Sequence, residues 1–278
     1  MRFSNMIQPV EIMTEDRAKS FMDANKTGSY QLLDVRLHEE YEDEHLPGAT
    51  LIPLNELMEG RADELDPEKP TIVYCRSGGR SKAASQWLTE QGFKEVYDIG
   101  SHIRDWLGIQ LEGEYEVDLD LINRDAEFPD AYTLAYAMEE GLQRFYQTLE
   151  EKETDQSKRA VYQRLAGFED LHKENLKKGY EASMGKSFDA TEALNLHGEL
   201  VEGGESNKLS PYEVARQMND IRDIYSLSMA IEAQSFDLYV RLASKSENEE
   251  SRALFLDMAD EEKTHMNYIS QELARHYQ

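Results

Sequence analysis

Six side chains able to ligate a metal recur in this sequence at fixed intervals. Glu169-x-x-His172 lies 30 residues after Glu139 (169 − 139), and Glu262-x-x-His265 lies 30 after Glu232 (262 − 232). The two sets are offset by 93 throughout (232 − 139, 262 − 169 and 265 − 172). On a helix, positions i and i+3 share a face, so the Glu and His of each pair point the same way. That face is also the apolar one. Ala135, Leu142 and Tyr146 flank Glu139, Leu165 and Leu176 flank the first pair, Ile231 and Tyr239 accompany Glu232, and Met258 and Ile269 flank the last pair. Four carboxylates and two imidazoles are therefore aimed into one helical core. Uncompensated, each buried charge costs several kcal/mol. Two divalent cations neutralise the carboxylates and supply the coordination they lack. Carboxylate with imidazole suits iron, manganese or zinc. One Glu-x-x-His alone carries little weight; two, each preceded at the same interval by a core-facing glutamate, carry the metal reading. Tyr146 and Tyr239, each seven residues after its glutamate, read as core side chains with hydrogen-bonded hydroxyls.

A second chemical centre is Cys75, the only cysteine of the 278 residues. It follows the apolar run Thr71-Ile72-Val73-Tyr74 and opens the loop Cys75-Arg76-Ser77-Gly78-Gly79-Arg80-Ser81, after which helical spacing begins. Two glycines let the loop curl so that successive N–H groups point inward. The start of the following helix adds its positive dipole end, and Arg76 and Arg80 add charge. All of this favours negative charge at the loop centre, and so a sulfur nucleophile, its persulfide or an incoming anion.

Charge and length set the frame. Acidic residues number 56 against 30 basic, a formal charge of −26, which repels nucleic acid and anionic membranes. A lone cysteine leaves no disulfide within the chain and fits a reducing compartment. Residues 1–16 lack the basic and apolar regions of a signal peptide, and no apolar run reaches membrane-spanning length. The expectation is a cytoplasmic protein with no membrane or nucleic-acid partner.

The elements that must position these groups fall into two halves. Leu32–Val35, Thr71–Tyr74 and Glu95–Asp98 read as buried strands, and Ser81–Gln91 as a helix closed by Gly92. This is an α/β pattern with a parallel sheet, assigned to residues 1–112. Residues 113–127 are acidic and without period, and read as a linker. Residues 128–278 are helical, with long helices expected at about Pro129–Glu153 and Gln156–Ser183 and a short one near Ala190–Leu196. A third long helix is expected to be capped by Ser210, Pro211 and Glu213 and to end near Ser244. The fourth is expected to open at Ser246 with Glu249 in a capping box. Two helical hairpins joined by one long crossover give a ferritin-like four-helix bundle.

The first half resembles the rhodanese family. Leu32 to Arg36 (LLDVR), Glu40 and Tyr41, His45 to Ala49 (HLPGA), Ile52-Pro53, the loop CRSGGRS and Trp106 carry the resemblance, over residues 8–110. It implies that Cys75 accepts a sulfane sulfur as a persulfide and passes it to a nucleophile. It also implies that Arg76, Ser77, Gly78, Gly79 and Arg80 bind the substrate, a small sulfur-containing anion or thiol. Related phosphatases carry an arginine six residues after the cysteine; here that position is Ser81, and the shorter loop looks like a sulfur-transfer cradle. The family often has Gly-Gly where this chain has Ser101-His102.

The second half, residues 129–278, resembles the rubrerythrin branch of the ferritin-like family. This resemblance implies a di-iron centre held by Glu139, Glu169, His172, Glu232, Glu262 and His265, with Glu169 and Glu262 bridging. The single cysteine excludes the cysteine-bound iron module of rubrerythrins proper, so an external electron donor is implied. The further glutamate those proteins carry one turn after the third-helix ligand is Ser235 here. The fusion then reads as a sulfurtransferase coupled to a di-iron domain for oxygen, peroxide or sulfur redox chemistry. The competing reading is a sulfur carrier whose bundle sequesters metal or dimerises around structural zinc. A homodimer is expected in either case.

Overall fold

The computed structural model of the protein describes residues 10–100, 109–114, 121, 127–197 and 217–276. The chain divides into two compact units, Met1–Glu116 and Val117–Gln278.

In the first unit a parallel sheet of order β1-β5-β4-β2-β3 is built from β1 (Glu11–Met13), β2 (Gln31–Asp34), β3 (Thr50–Leu51), β4 (Thr71–Tyr74) and β5 (Val96–Ile99). The helices between them are α1 (Glu15–Ala24), α2 (His38–Asp43), α3 (Leu54–Met58) and α4 (Gly79–Glu90), with one 3-10 turn at Arg61–Glu64. Every residue of β4 is buried, as parallel strands covered on both faces require. The pleat sends Ile72 and Tyr74 into one apolar cluster and Val73 and Cys75 into the other. Strand β4 appears where the sequence places it, and β2 and β5 are each shifted by one residue. Strands β1 and β3, of three and two residues, are too short to show a period and were not expected from the sequence.

The second unit is a four-helix bundle of α5 (Phe128–Lys152), α6 (Gln156–Met184), α8 (Ile221–Lys245) and α9 (Glu249–His276), with the short α7 (Ala190–His197) on the crossover. Helix α6 starts on Asp155, whose carboxylate accepts from the N–H groups of Ser157 and Lys158, and ends on left-handed Gly185. Two expected boundaries are corrected. Residues 217–220 are not helical, and α8 starts after Asp220, whose carboxylate caps Arg222 and Asp223 while Asp223 reaches back to the Asp220 N–H. Ser246 closes α8 instead of opening the fourth helix, its hydroxyl donating to the Leu242 carbonyl, and Asn248 caps α9 through the Ser251 N–H. Ser101, His102, Trp106, Ser210, Pro211 and Glu213 lie outside the described residues.

Apolar packing divides the bundle into two layers. One holds Ala135, Met138, Leu176, Tyr239 and Met258, and the other Leu142, Leu165, Ile231 and Ile269. On each of the four long helices the chain passes from one layer to the other across the position of the glutamate or Glu-x-x-His. Close approach of α5 and α6 depends on Gly179. A Cβ there would stand 2.0 Å from the Tyr132 hydroxyl oxygen and 3.1 Å from its Cζ. Tyr132 is buried and packs edge-on against Tyr180 at 5.8 Å. Overpacking costs about 1–3 kcal/mol, against about 1 kcal/mol of helix propensity gained by alanine. Gly179→Ala is therefore expected to lower the urea midpoint of the helical unit; an unchanged or higher midpoint contradicts this packing.

Candidate functional site

Cys75 stands one residue beyond the carboxyl end of β4, where parallel α/β sheets place their ligands. The loop then turns through Gly78 in the left-handed region (φ 80°, ψ −14°), and α4 begins at Gly79, two residues earlier than the spacing predicts. Even a glycine is tightly fitted here: a Cβ on Gly78 would lie 3.3 Å from the Gly100 carbonyl oxygen. This turn aims the Gly78 and Ser81 N–H groups at the Cys75 sulfur, at 3.2 and 3.3 Å. The Ser81 N–H is one of the donors left over in the first turn of α4. The Ser81 hydroxyl oxygen stands 3.5 Å from Sγ. Cys75 and Ser81 are buried, Gly78 and Arg80 are half-buried, and Arg76, Ser77 and Gly79 are exposed at the mouth of the loop.

Arg80 is engaged in a way the sequence does not show. Its guanidinium donates to both oxygens of Glu40 on α2, at 2.6 and 2.7 Å. This bidentate pair holds the Glu40 carboxyl down to about 2, against burial and with help from the Leu37 N–H. The pair ties α2 to the loop, and it offsets one of the two cationic charges expected there. A carboxylate depressed in the folded state stabilises above its ordinary value of 4.5 and loses that contribution as pH falls toward about 2. The stability difference between wild type and Glu40→Gln is therefore expected to be constant above about pH 5 and to shrink through that acid window. Acid titrations followed by circular dichroism check this, and a pH-independent difference contradicts it. A second group missed by the sequence reading is Asp98 on β5, buried and hydrogen-bonded with Ser81. Burial raises its carboxyl, and the Ser81 bond opposes that rise.

In the bundle, all six predicted polar residues come together between the two apolar layers. Glu139, Glu169, Glu232 and Glu262 are 0 % exposed, and both histidines are buried. Glu139, Glu169 and His172 offer ligand atoms within 4.8 Å of one another, and so do Glu232, Glu262 and His265. The imidazoles stack at 4.5 Å with 7° between their planes. His172 Nδ1 donates to Glu139 at 2.9 Å and lies 3.6 Å from Glu169. His265 Nδ1 lies 3.4 Å from both Glu232 and Glu262. Burial works against a charged His172, but the charge and hydrogen bond of Glu139, with Glu261 and Glu232, outweigh it and raise the imidazole to about 9. The Tyr239 hydroxyl donates to Glu139 at 3.0 Å, spanning α8 and α5. Ser235, one turn after Glu232, is buried and turns its hydroxyl to the Ile231 carbonyl.

The donor set fits two divalent cations. Four carboxylates and two imidazoles supply oxygen and nitrogen ligands from four helices, and four negative charges match two dications. One oxygen of Glu232 is fully buried and has no hydrogen-bond partner among the described residues, as a ligand atom awaiting an ion would be. Among the described residues no helix is long and apolar enough to cross a membrane.

Comparison with known proteins supports both halves. A family profile for the rhodanese-like domain matches residues 17–108, and one for rubrerythrin matches residues 223–277. Over 80 residues the chain is 45 % identical to a putative sulfur carrier protein, YrkF, of Bacillus subtilis, covering 29 % of this chain and 43 % of that protein. Over 75 residues it is 40 % identical to the thiosulfate sulfurtransferase GlpE of Coxiella burnetii, covering 27 % of this chain and 69 % of that one. It covers 34 % of an Arabidopsis thaliana rhodanese-like/PpiC domain-containing protein at 39 % identity, so it spans less than half the length of two of these three relatives. A solved Escherichia coli rhodanese with anions is 34 % identical, with a TM-score of 0.28, over 30 % of this chain and 99 % of that one. Through its first unit the chain belongs to the rhodanese-like sulfurtransferase family, and it joins that domain to a rubrerythrin domain in its helical half.

Proposed function

We propose that the protein is a sulfurtransferase whose Cys75 carries a persulfide, joined to a di-iron carboxylate bundle that performs redox chemistry on oxygen, peroxide or sulfur species. With thiosulfate as donor, the Cys75 sulfur attacks the outer sulfur. The S–S bond breaks, and sulfite leaves with the electron pair. A nucleophilic acceptor then takes the outer sulfur and returns the thiolate. The N–H groups of Gly78 and Ser81 stabilise negative charge on the cysteine sulfur at both stages. Arg76 and Ser77, exposed at the loop mouth, meet the incoming anion, and Arg80 is held beside it by Glu40.

In the bundle, Glu139, Glu169 and His172 would hold one metal ion, and Glu232, Glu262 and His265 the other. Bound iron would supply electrons to small oxidants and take them back from a reductant. The protein's own part is to keep the donors dry and aligned: Tyr239 orients Glu139, and the apolar layers on both sides exclude water. Electrons come from a separate donor protein or thiol. The carrying observation is the buried layer itself: two groups, each of two glutamates and a histidine, with ligand atoms within 4.8 Å of one another on a four-helix scaffold.

The test is metal analysis of the full chain purified without added metal, paired with absorbance spectroscopy before and after peroxide. Two iron ions per chain and a spectral change on oxidation support the reading. Stoichiometric zinc with no spectral change leaves a sulfurtransferase with a structural bundle.

A further inference from the structure

The internal repeat pairs Glu261 with Phe168 (261 − 168 = 93), and here the two halves of the metal layer differ in chemistry. Glu261 stands on α9, immediately before Glu262. Its Oε2 reaches across to α6 and lies 3.4 Å from His172 Nε2. That oxygen is fully buried, and its contact with the imidazole is a charge contact at 3.4 Å, while the Asn175 side chain hydrogen-bonds the same carboxyl group. His172 Nδ1 faces Glu139 and Glu169 at 2.9 and 3.6 Å, so Glu261 lies on the opposite side of the ring from the candidate ligands. In the other half, Phe168 stacks on the His265 ring at 4.8 Å with 23° between the planes. It brings an apolar face where the repeat-related position brings a carboxylate.

A carboxylate on the outer nitrogen of a metal-bound imidazole fixes its tautomer and makes the inner nitrogen a stronger donor. From this contact we infer that Glu261 is a positioning residue that makes the two metal positions unequal. The position built from Glu139, Glu169 and His172 fills first and more tightly, and the one built from Glu232, Glu262 and His265 fills second. The inference rests on the two-metal reading of the bundle and adds the order of filling and the residue that sets it.

Cobalt(II) titration of metal-free full-length protein, followed by its visible absorption and by calorimetry, tests this in two single-position backgrounds. His265→Ala leaves only the first position, and His172→Ala only the second. Adding Glu261→Leu is expected to weaken cobalt binding about 10–100-fold in the His265→Ala background and to leave it unchanged in the His172→Ala background. Damage to the fold would instead lower both. In an otherwise wild-type chain, Phe168→Glu is expected to tighten the second step. Equal weakening in both backgrounds, or none in the first, overturns the role of Glu261 while leaving the two-metal reading in place. A wild-type chain that binds no cobalt overturns both.

Discussion

Full-length Cys75→Ser is expected to lose transfer of sulfur from thiosulfate to cyanide by roughly 10⁴-fold or more, the scale on which removal of an essential nucleophile is felt. The serine oxygen can keep the Gly78 and Ser81 N–H contacts, so the loop keeps its shape and the loss is chemical. Because Cys75 is the only cysteine, the intermediate is also directly countable. Wild type treated with thiosulfate should gain the mass of one sulfur atom, on the peptide that contains Cys75, and the variant should gain none. Metal content and helix content should match wild type, since the substitution touches only the first unit. Residual activity above about a hundredth of wild type, or sulfur bound in the variant, would remove Cys75 from the reaction. Arg80→Ala makes a graded companion. It removes a cation near the sulfur and strands Glu40, so it should cost both stability and turnover, whereas Cys75→Ser should cost turnover alone.

The distribution of what could be read from the sequence follows interaction range. Strand Thr71–Tyr74 was legible because four apolar or β-branched residues are bounded by Pro70 and a glycine loop. The six polar residues of the bundle were legible because helical spacing turns sequence intervals into shared faces, and the repeat states the same pattern twice. The ends of α8 were not. One helix was expected to run unbroken to about Ser244, but residues 217–220 are not helical, and Asp220 with Asp223 caps α8, an ordinary local pattern that helical periodicity does not single out. Glu40 and Arg80 are forty residues apart and meet only because β2 and β4 are sheet neighbours. Glu261 escaped for a helical reason: one residue before Glu262, it is rotated about 100° from the ligand stripe. Its partner is therefore a histidine on another helix, which spacing along α9 cannot reveal.

Metal-free protein should be less stable than its own charge-neutralised variant. Glu169 and Glu262 sit among two further carboxyl groups at 0 % exposure, between two apolar layers. Without cations, this layer collects like charge where the surroundings solvate it poorly, and two histidines offset only part of it. Replacing Glu169 and Glu262 with glutamine keeps shape and hydrogen-bonding capacity and removes two negative charges. The metal-free double variant is therefore expected to be more stable to urea than metal-free wild type, by about 1–4 kcal/mol, the range seen when buried ion pairs are replaced by well-packed uncharged side chains. The order must reverse with metal present. Binding adds RT ln(1 + [L]/Kd), about 4 kcal/mol at a thousandfold excess over Kd, to wild type alone, because the variant has lost two of its six ligands. Stability measured with and without metal should thus give crossed rankings. A variant less stable than wild type in both conditions would mean that Glu169 and Glu262 serve packing. A variant more stable in both would mean that they hold no metal. Only the crossing assigns the buried charge to a bound cation, and it does so by equilibrium unfolding, without reference to turnover.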